Sequence, residues 1–105
     1  MPKQDIAGGP VARTLSVIGS SWTCLILREF LVHGARRFQD LHEVLNGIAP
    51  TTLSERLRTL EKHGVLERHF YSMSPPRAEY VLTTKGRDLG PILSAMRDWG
   101  RKYAR

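Results

Sequence analysis

The sequence predicts a mostly α-helical domain carrying one small antiparallel β-hairpin, and three observations predict it. Apolar residues recur at helical spacing along most of the chain, the period changes to two between Leu66 and Leu82, and glycine or proline stands at most of the junctions. A chain of 105 residues has surface for one hydrophobic core, so residues 1–105 read as a single domain.

The first helix opens at Pro10, which suits a first helical position, and carries Val11, Leu15 and Ile18 until Gly19 interrupts it. Ser20 or Ser21 can cap a second helix. Its apolar positions, Trp22, Leu25, Ile26, Leu27, Phe30 and Leu31, nearly encircle it before Gly34, so it is expected to be buried on most sides. Arg36 to Phe38 fit a short edge strand. Phe38, Leu41, Val44 and Leu45 then form one apolar stripe, a third, two-turn helix closed by Asn46-Gly47. Beyond the buried-looking Ile48, Pro50 opens a fourth helix with Leu53, Leu57 and Leu60 on one face and Gly64 as its stop.

From Leu66 the alternation is strand-like. Leu66 and Phe70 interleave with Glu67, His69 and Tyr71, and Ala78, Tyr80 and Leu82 interleave with Arg77, Glu79 and Val81. Ser72-Met73-Ser74-Pro75-Pro76 is expected to be a projecting loop, because proline lacks the ladder donor. From Thr83 or Thr84 a long amphipathic helix carries Leu89, Ile92, Leu93, Met96, Trp99 and Tyr103, with a kink or break near Arg87 to Pro91. The domain thus divides into N-terminal helices at 10–35, a helix-turn-helix at 36–64 with its second helix at 50–63, a hairpin at 65–82 and a C-terminal helix at 83–105.

Composition excludes several functional classes. Hydrophobic residues at 41% and charged residues at 25% are a globular mixture, which argues against disorder. No apolar run approaches the ~20 residues of a membrane span and the N-terminus lacks a signal-peptide core, so no membrane partner and a cytoplasmic location are expected. With Cys24 alone, an internal disulfide is impossible. The histidines His33, His42, His63 and His69 lack ligand spacing, and no glycine cluster forms a phosphate loop or nucleophile elbow. Neither enzyme chemistry, a metal nor a cofactor is expected.

The net charge of +6 favours an anionic partner through counterion release. Residues 65–105 carry 8 Lys and Arg against 4 Asp and Glu, whereas residues 1–64 carry 8 against 6. Reading a duplex requires a helix anchored by one apolar face and presenting small hydrogen-bonding groups on the other. Residues 50–63 supply it: Thr51, Glu55, Arg58 and Lys62 project away from the leucine face, Thr52 and Ser54 lie on its flanks, and Arg56 is nearer the core boundary. A solvated amphipathic helix satisfies the same pattern. Pro75-Pro76 followed by Arg77 places a guanidinium where it can enter a minor groove or clamp a phosphate, or else pair with Glu79. Arg37, just before the third helix, completes the candidate DNA-contacting set of Arg37, Thr51, Thr52, Ser54, Glu55, Arg56, Arg58 and Arg77.

At this point the chain resembles the HxlR-type regulators, a branch of the winged-helix bacterial regulators related to the MarR group. The likeness rests on Pro10-Val11, Thr14-Leu15, Ile18-Gly19 with Trp22, Leu25-Ile26-Leu27-Arg28-Glu29, and Arg36-Arg37-Phe38. It continues through Gly47-Ile48-Ala49-Pro50, Thr52-Leu53, Arg56-Leu57-Arg58, Gly64-Val65-Leu66-Glu67-Arg68, Pro75-Pro76-Arg77, Glu79-Tyr80, Pro91-Ile92-Leu93 and Trp99-Gly100. The resemblance implies a winged helix-turn-helix that dimerises through its terminal helices and binds a palindromic operator on double-stranded DNA, the fourth helix in the major groove. Two positions depart from the family pattern. Gly9 stands where many relatives carry a sensing cysteine, and Ala49 replaces the usual serine before Pro50, removing a cap worth ~1 kcal/mol.

A domain this small can hardly cover the whole stripe of Leu89, Ile92, Met96 and Trp99 with Trp22 and Leu15, so those residues form the candidate homodimer interface. Cys24, in the most continuously apolar stretch, reads as packing rather than chemistry. The residues leave room for a small-molecule effector without identifying it. The alternative reading is a winged-helix module that binds a protein or structured RNA without recognising an operator.

Overall fold

The computed structural model describes residues 8–103. Helix α1 spans Pro10–Ile18, α2 Thr23–His33, α3 Phe38–Val44 and α4 Pro50–Lys62; strands β1, Leu66–Met73, and β2, Pro76–Leu82, precede α5, Thr84–Arg87, and α6, Gly90–Tyr103. The mostly helical architecture with one antiparallel hairpin is the fold the sequence predicts. No single helix is long and apolar enough to cross a membrane.

Its core is one cluster. Ile26, Leu27 and Phe30 from α2 meet Leu41 and Leu45 around α3, Leu53, Leu57 and Leu60 from α4, and Ile18, Ile48, Val65 and Leu66 from the junctions. The leucines at i, i+4 and i+7 of α4 are fully enclosed, so each anchors the helix by burial that a change to alanine forfeits at ~2–5 kcal/mol. Gly47 and Gly64 have φ of +92° and +74°, the left-handed backbone that turns α3 toward α4 and α4 toward β1. Thr83 then fastens the base of the hairpin: its Oγ1 donates to the Gly64 carbonyl at 2.6 Å and accepts from the Gly86 amide at 3.1 Å. Gly86 admits no side chain, since a Cβ there would run into the Val65 carbonyl oxygen.

Four details differ from the sequence reading. Neither Ser20 nor Ser21 caps α2; Trp22 occupies the N-cap with φ +75° and no side-chain cap bond, because Thr23 begins the helix and is itself buried. That helix is not enclosed on most sides either, for Leu25 and Val32 are exposed at 42% and 68% on the face turned toward α6. The expected loop at 72–76 is a tight turn instead, as Met73 pairs with Pro76 and Ser72 with Arg77, the Ser74–Pro75 peptide being cis. Pro76 is tolerated because the ladder ends there. Lastly, Phe70 is exposed, as are Glu67, Arg68 and His69, because the hairpin extends past the helices that cover Leu66.

The edge strand expected at Arg36 to Phe38 is a single bridge, in which the Arg36 amide donates to the Tyr80 carbonyl at 3.0 Å and the Tyr80 amide to the Arg36 carbonyl at 2.7 Å. The C-terminal segment breaks between Arg87 and Gly90, where Pro91 suggested it would.

Candidate nucleic-acid interface

Helix α4 is held by its leucine face and leaves Thr51, Glu55, Arg58 and Lys62 exposed, with Thr52, Ser54 and Arg56 half-buried at its flanks. Its start is open. Ala49 sits at the N-cap in an extended conformation, φ −71° and ψ 142°, and offers no side-chain acceptor to the first-turn amides. Unpaired amides at a helix N-terminus attract negative charge, and here they stand beside Thr51 and Thr52.

Beside α4 the hairpin adds a second basic surface. A cavity of about 560 Å³ between them is lined by Ser54, Arg58, Glu61 and Lys62 from the helix and by Arg68 and Tyr80 from the strands. Arg68 and Tyr80 face each other across the ladder. Arg68 Nε lies 3.8 Å from Glu61 Oε2, and its guanidinium sits 5.6 Å over the Phe70 ring. Burial, with the Glu61 charge adding to it, pushes the Tyr80 hydroxyl above its ordinary range. Three cations against one carboxylate make this groove suited to a polyanion.

The candidate residues fall into distinct surroundings. Thr51, Thr52, Ser54, Glu55 and Arg58 share the outer part of α4. Arg77 is exposed near the hairpin tip, and among the described residues it forms no ion pair with Glu79. Arg56 is otherwise employed: its Nε donates to the Ser21 carbonyl at 3.0 Å. Arg37 is bound at its own helix, its Nε and Nη2 donating to the Asp40 carboxylate at 3.2 and 3.0 Å while its amide donates to Asp40 Oδ2 at 2.9 Å. Those bonds hold the Asp40 carboxyl below the usual carboxylate range.

Arg68 and Tyr80 were not among the site residues read from sequence. Their signal lay in cross-strand register, which needs the position of the irregularity between Phe70 and Ser72.

Of the candidate interface residues, Leu15, Ile92, Met96 and Trp99 are exposed at 56%, 37%, 50% and 65%, whereas Trp22 and Leu89 are half-buried against the core. Cys24 is also only half-buried. It borders a largely apolar groove of about 440 Å³ between α2 and α6, with its Sγ 3.6 Å from the Ile18 carbonyl. Burial nonetheless raises its pKa. Among the described residues, no group of three His, Cys, Asp or Glu is placed to hold a metal.

Residues 17–105 match the HxlR-like helix-turn-helix family. The uncharacterized HTH-type transcriptional regulator YdeP of Bacillus subtilis is 40% identical over 99 residues, 94% of this chain and 77% of that protein. Another of that description, sll1512 of Synechocystis, is 42% identical over 90% of this chain and 69% of its own length. Among solved structures, the redox regulator HypR in its reduced form superposes with a TM-score of 0.82 at 36% identity, covering 89% of this chain and 91% of that one. With an open-started helix anchored by leucines, a basic hairpin beside it and likeness along nearly its whole length, the chain belongs to the HxlR-like helix-turn-helix family of transcriptional regulators.

Proposed function

We propose that the protein acts in the cytoplasm as a homodimer that binds a palindromic operator, with α4 in the major groove and the hairpin against the flanking backbone. The observation that carries this reading is the continuity of the exposed face of α4 with the basic groove formed by Arg58, Lys62, Arg68 and Tyr80. Base-reading groups and phosphate-binding groups then lie on one side of the molecule, as duplex recognition needs. In this arrangement Thr51, Thr52, Ser54, Glu55 and Arg58 address base edges, Arg68, Lys62 and Arg77 address phosphates, and Arg37 and Arg56 flank them.

Dimerisation is supported by the uncovered apolar surface. Val11 and Leu15 stand one turn apart on α1, and Ile92, Met96, Trp99 and Tyr103 run along α6, the rings of Trp99 and Tyr103 lying 5.2 Å apart. A stripe of this size in water favours association with a second copy. The groove between α2 and α6 is continuous with it through Met96.

Selection of bound fragments from random duplex DNA tests the proposal. A motif with two-fold symmetry and half-sites about one helical turn apart, ~10 bp, is expected. Recovery of no motif, or preferential binding of structured RNA or of a protein, overturns it.

A further inference from the structure

Glu29 lies on the inner side of α2 with its side chain 7% exposed. Its Oε1 accepts from the Arg36 Nη2 at 3.2 Å, while Arg28 Nη2 at 3.8 Å and His33 Nε2 at 3.9 Å stand farther off. Arg36, three-quarters buried, is the residue whose backbone exchanges two hydrogen bonds with Tyr80 of β2. One continuous set of contacts therefore leads from the middle of α2, through a buried ion pair, to the strand that lines the basic groove.

Stability does not account for this pair. Removing both charges from water offsets most of what their attraction returns, and apolar residues of similar volume generally hold such a position as well or better. The Arg36 Nε is in addition buried with no partner, a further cost. What apolar side chains would not supply is direction. A planar guanidinium held by a fixed carboxylate orients its own backbone, here the segment bonded to Tyr80. On the far side of Tyr80 stand Arg68, its partner across the ladder, and Arg58 and Lys62 of α4.

We propose that Glu29 and Arg36 are positioning residues for DNA binding: a buried clamp that sets the hairpin's angle to α4, so that Arg68 and Arg77 meet phosphates while Arg58 meets bases. This rests on the docking arrangement argued above. Neither residue touches DNA. Each acts through the backbone bridge to Tyr80.

The test compares wild type with Glu29→Gln and with the double variant Glu29→Met/Arg36→Met, measuring Tm, affinity for the selected operator across salt concentrations, and amide exchange at Tyr80. The double variant is expected to melt at or above the wild-type temperature, yet to bind about tenfold more weakly with a shallower salt dependence, because the hairpin cations lose their register. Glu29→Gln is expected to keep the packing while Tyr80 exchanges faster and affinity falls. Wild-type affinity and salt slope in the double variant overturn the clamp, as does affinity that simply follows Tm across the series. Should the double variant fail to fold, unchanged Tyr80 exchange and affinity in Glu29→Gln overturn it. Arg68→Ala separates the clamp from the docking arrangement. If its affinity and slope equal wild type, the hairpin does not meet phosphate and the docking arrangement itself falls; if it weakens while the clamp variants do not, the clamp alone falls.

Discussion

The Nε of Arg56 donates to the carbonyl oxygen of Ser21 across 3.0 Å, tying α4 to the turn between α1 and α2. A residue of α4 thus gives a hydrogen bond to the backbone of the helix pair beneath it. Arg56→Ala should lower the unfolding free energy by about 1 kcal/mol, the net worth of such a bond, and weaken operator binding without changing its salt slope. Denaturant unfolding and salt-dependent binding measured on the same samples check this; a slope reduced by about one unit would mean that Arg56 neutralises a phosphate instead.

Arg77 should behave in the opposite way. It is exposed near the hairpin tip, so Arg77→Ala should leave unfolding unchanged, weaken binding and reduce the salt slope by about one unit. Titrations of operator DNA at several salt concentrations decide it.

At the start of α4, Ala49 already has the extended backbone of an N-cap and lacks only an acceptor. Ala49→Ser should raise the unfolding free energy by roughly 0.5 to 2 kcal/mol. An unchanged denaturation midpoint would show that the first-turn amides are satisfied by other means.

The Arg37 and Asp40 pair gives a pH dependence of definite sign. Hydrogen bonds from Arg37 depress the Asp40 pKa in the folded protein, so its contribution is complete above the unfolded value, about 3.9, and is lost as pH falls through the lower folded value. Asp40→Asn should therefore be less stable than wild type at pH 7, with the difference shrinking in the acid range. A difference independent of pH from 7 to 2 would contradict the ionic origin.

Cysteine oxidation should not switch this protein. Gly9 stands where the family resemblance implies a thiol, and the pKa of Cys24 is raised by burial, which disfavours the reactive thiolate. Because Cys24 borders the groove between α2 and α6, the comparison has to be made directly. Operator affinity of wild type and Cys24→Ser should respond alike to peroxide or a quinone; loss of binding in wild type alone would make Cys24 a switch.

The elements and the core were legible in the sequence wherever periodicity decided them. The leucines of α4, the punctuating glycines at Gly47 and Gly64 and the break at Pro91 each reflect local chemistry. Tertiary relations were not legible in the same way. Trp22 at an N-cap with positive φ departs from the local preference for serine there. The groove formed by Arg68 and Tyr80 depends on strand register, which alternation alone does not fix. Nothing in the sequence coupled Glu29 to Arg36, because nothing local marks a carboxylate that another segment will cover.

The irregularity between Phe70 and Ser72 also bears on how the chain behaves in a crowded solution. Strand β2 is flanked by β1 on one side and meets the Arg36 bridge at Tyr80 on the other, whereas the outer rim of β1 is open along its whole length. An open rim invites strands from other molecules. Here the rim is interrupted at Tyr71 and carries Glu67, Arg68 and His69 before the interruption, leaving no long flat apolar run for a foreign strand to join. An extended hairpin is thereby kept from recruiting its neighbours into sheets.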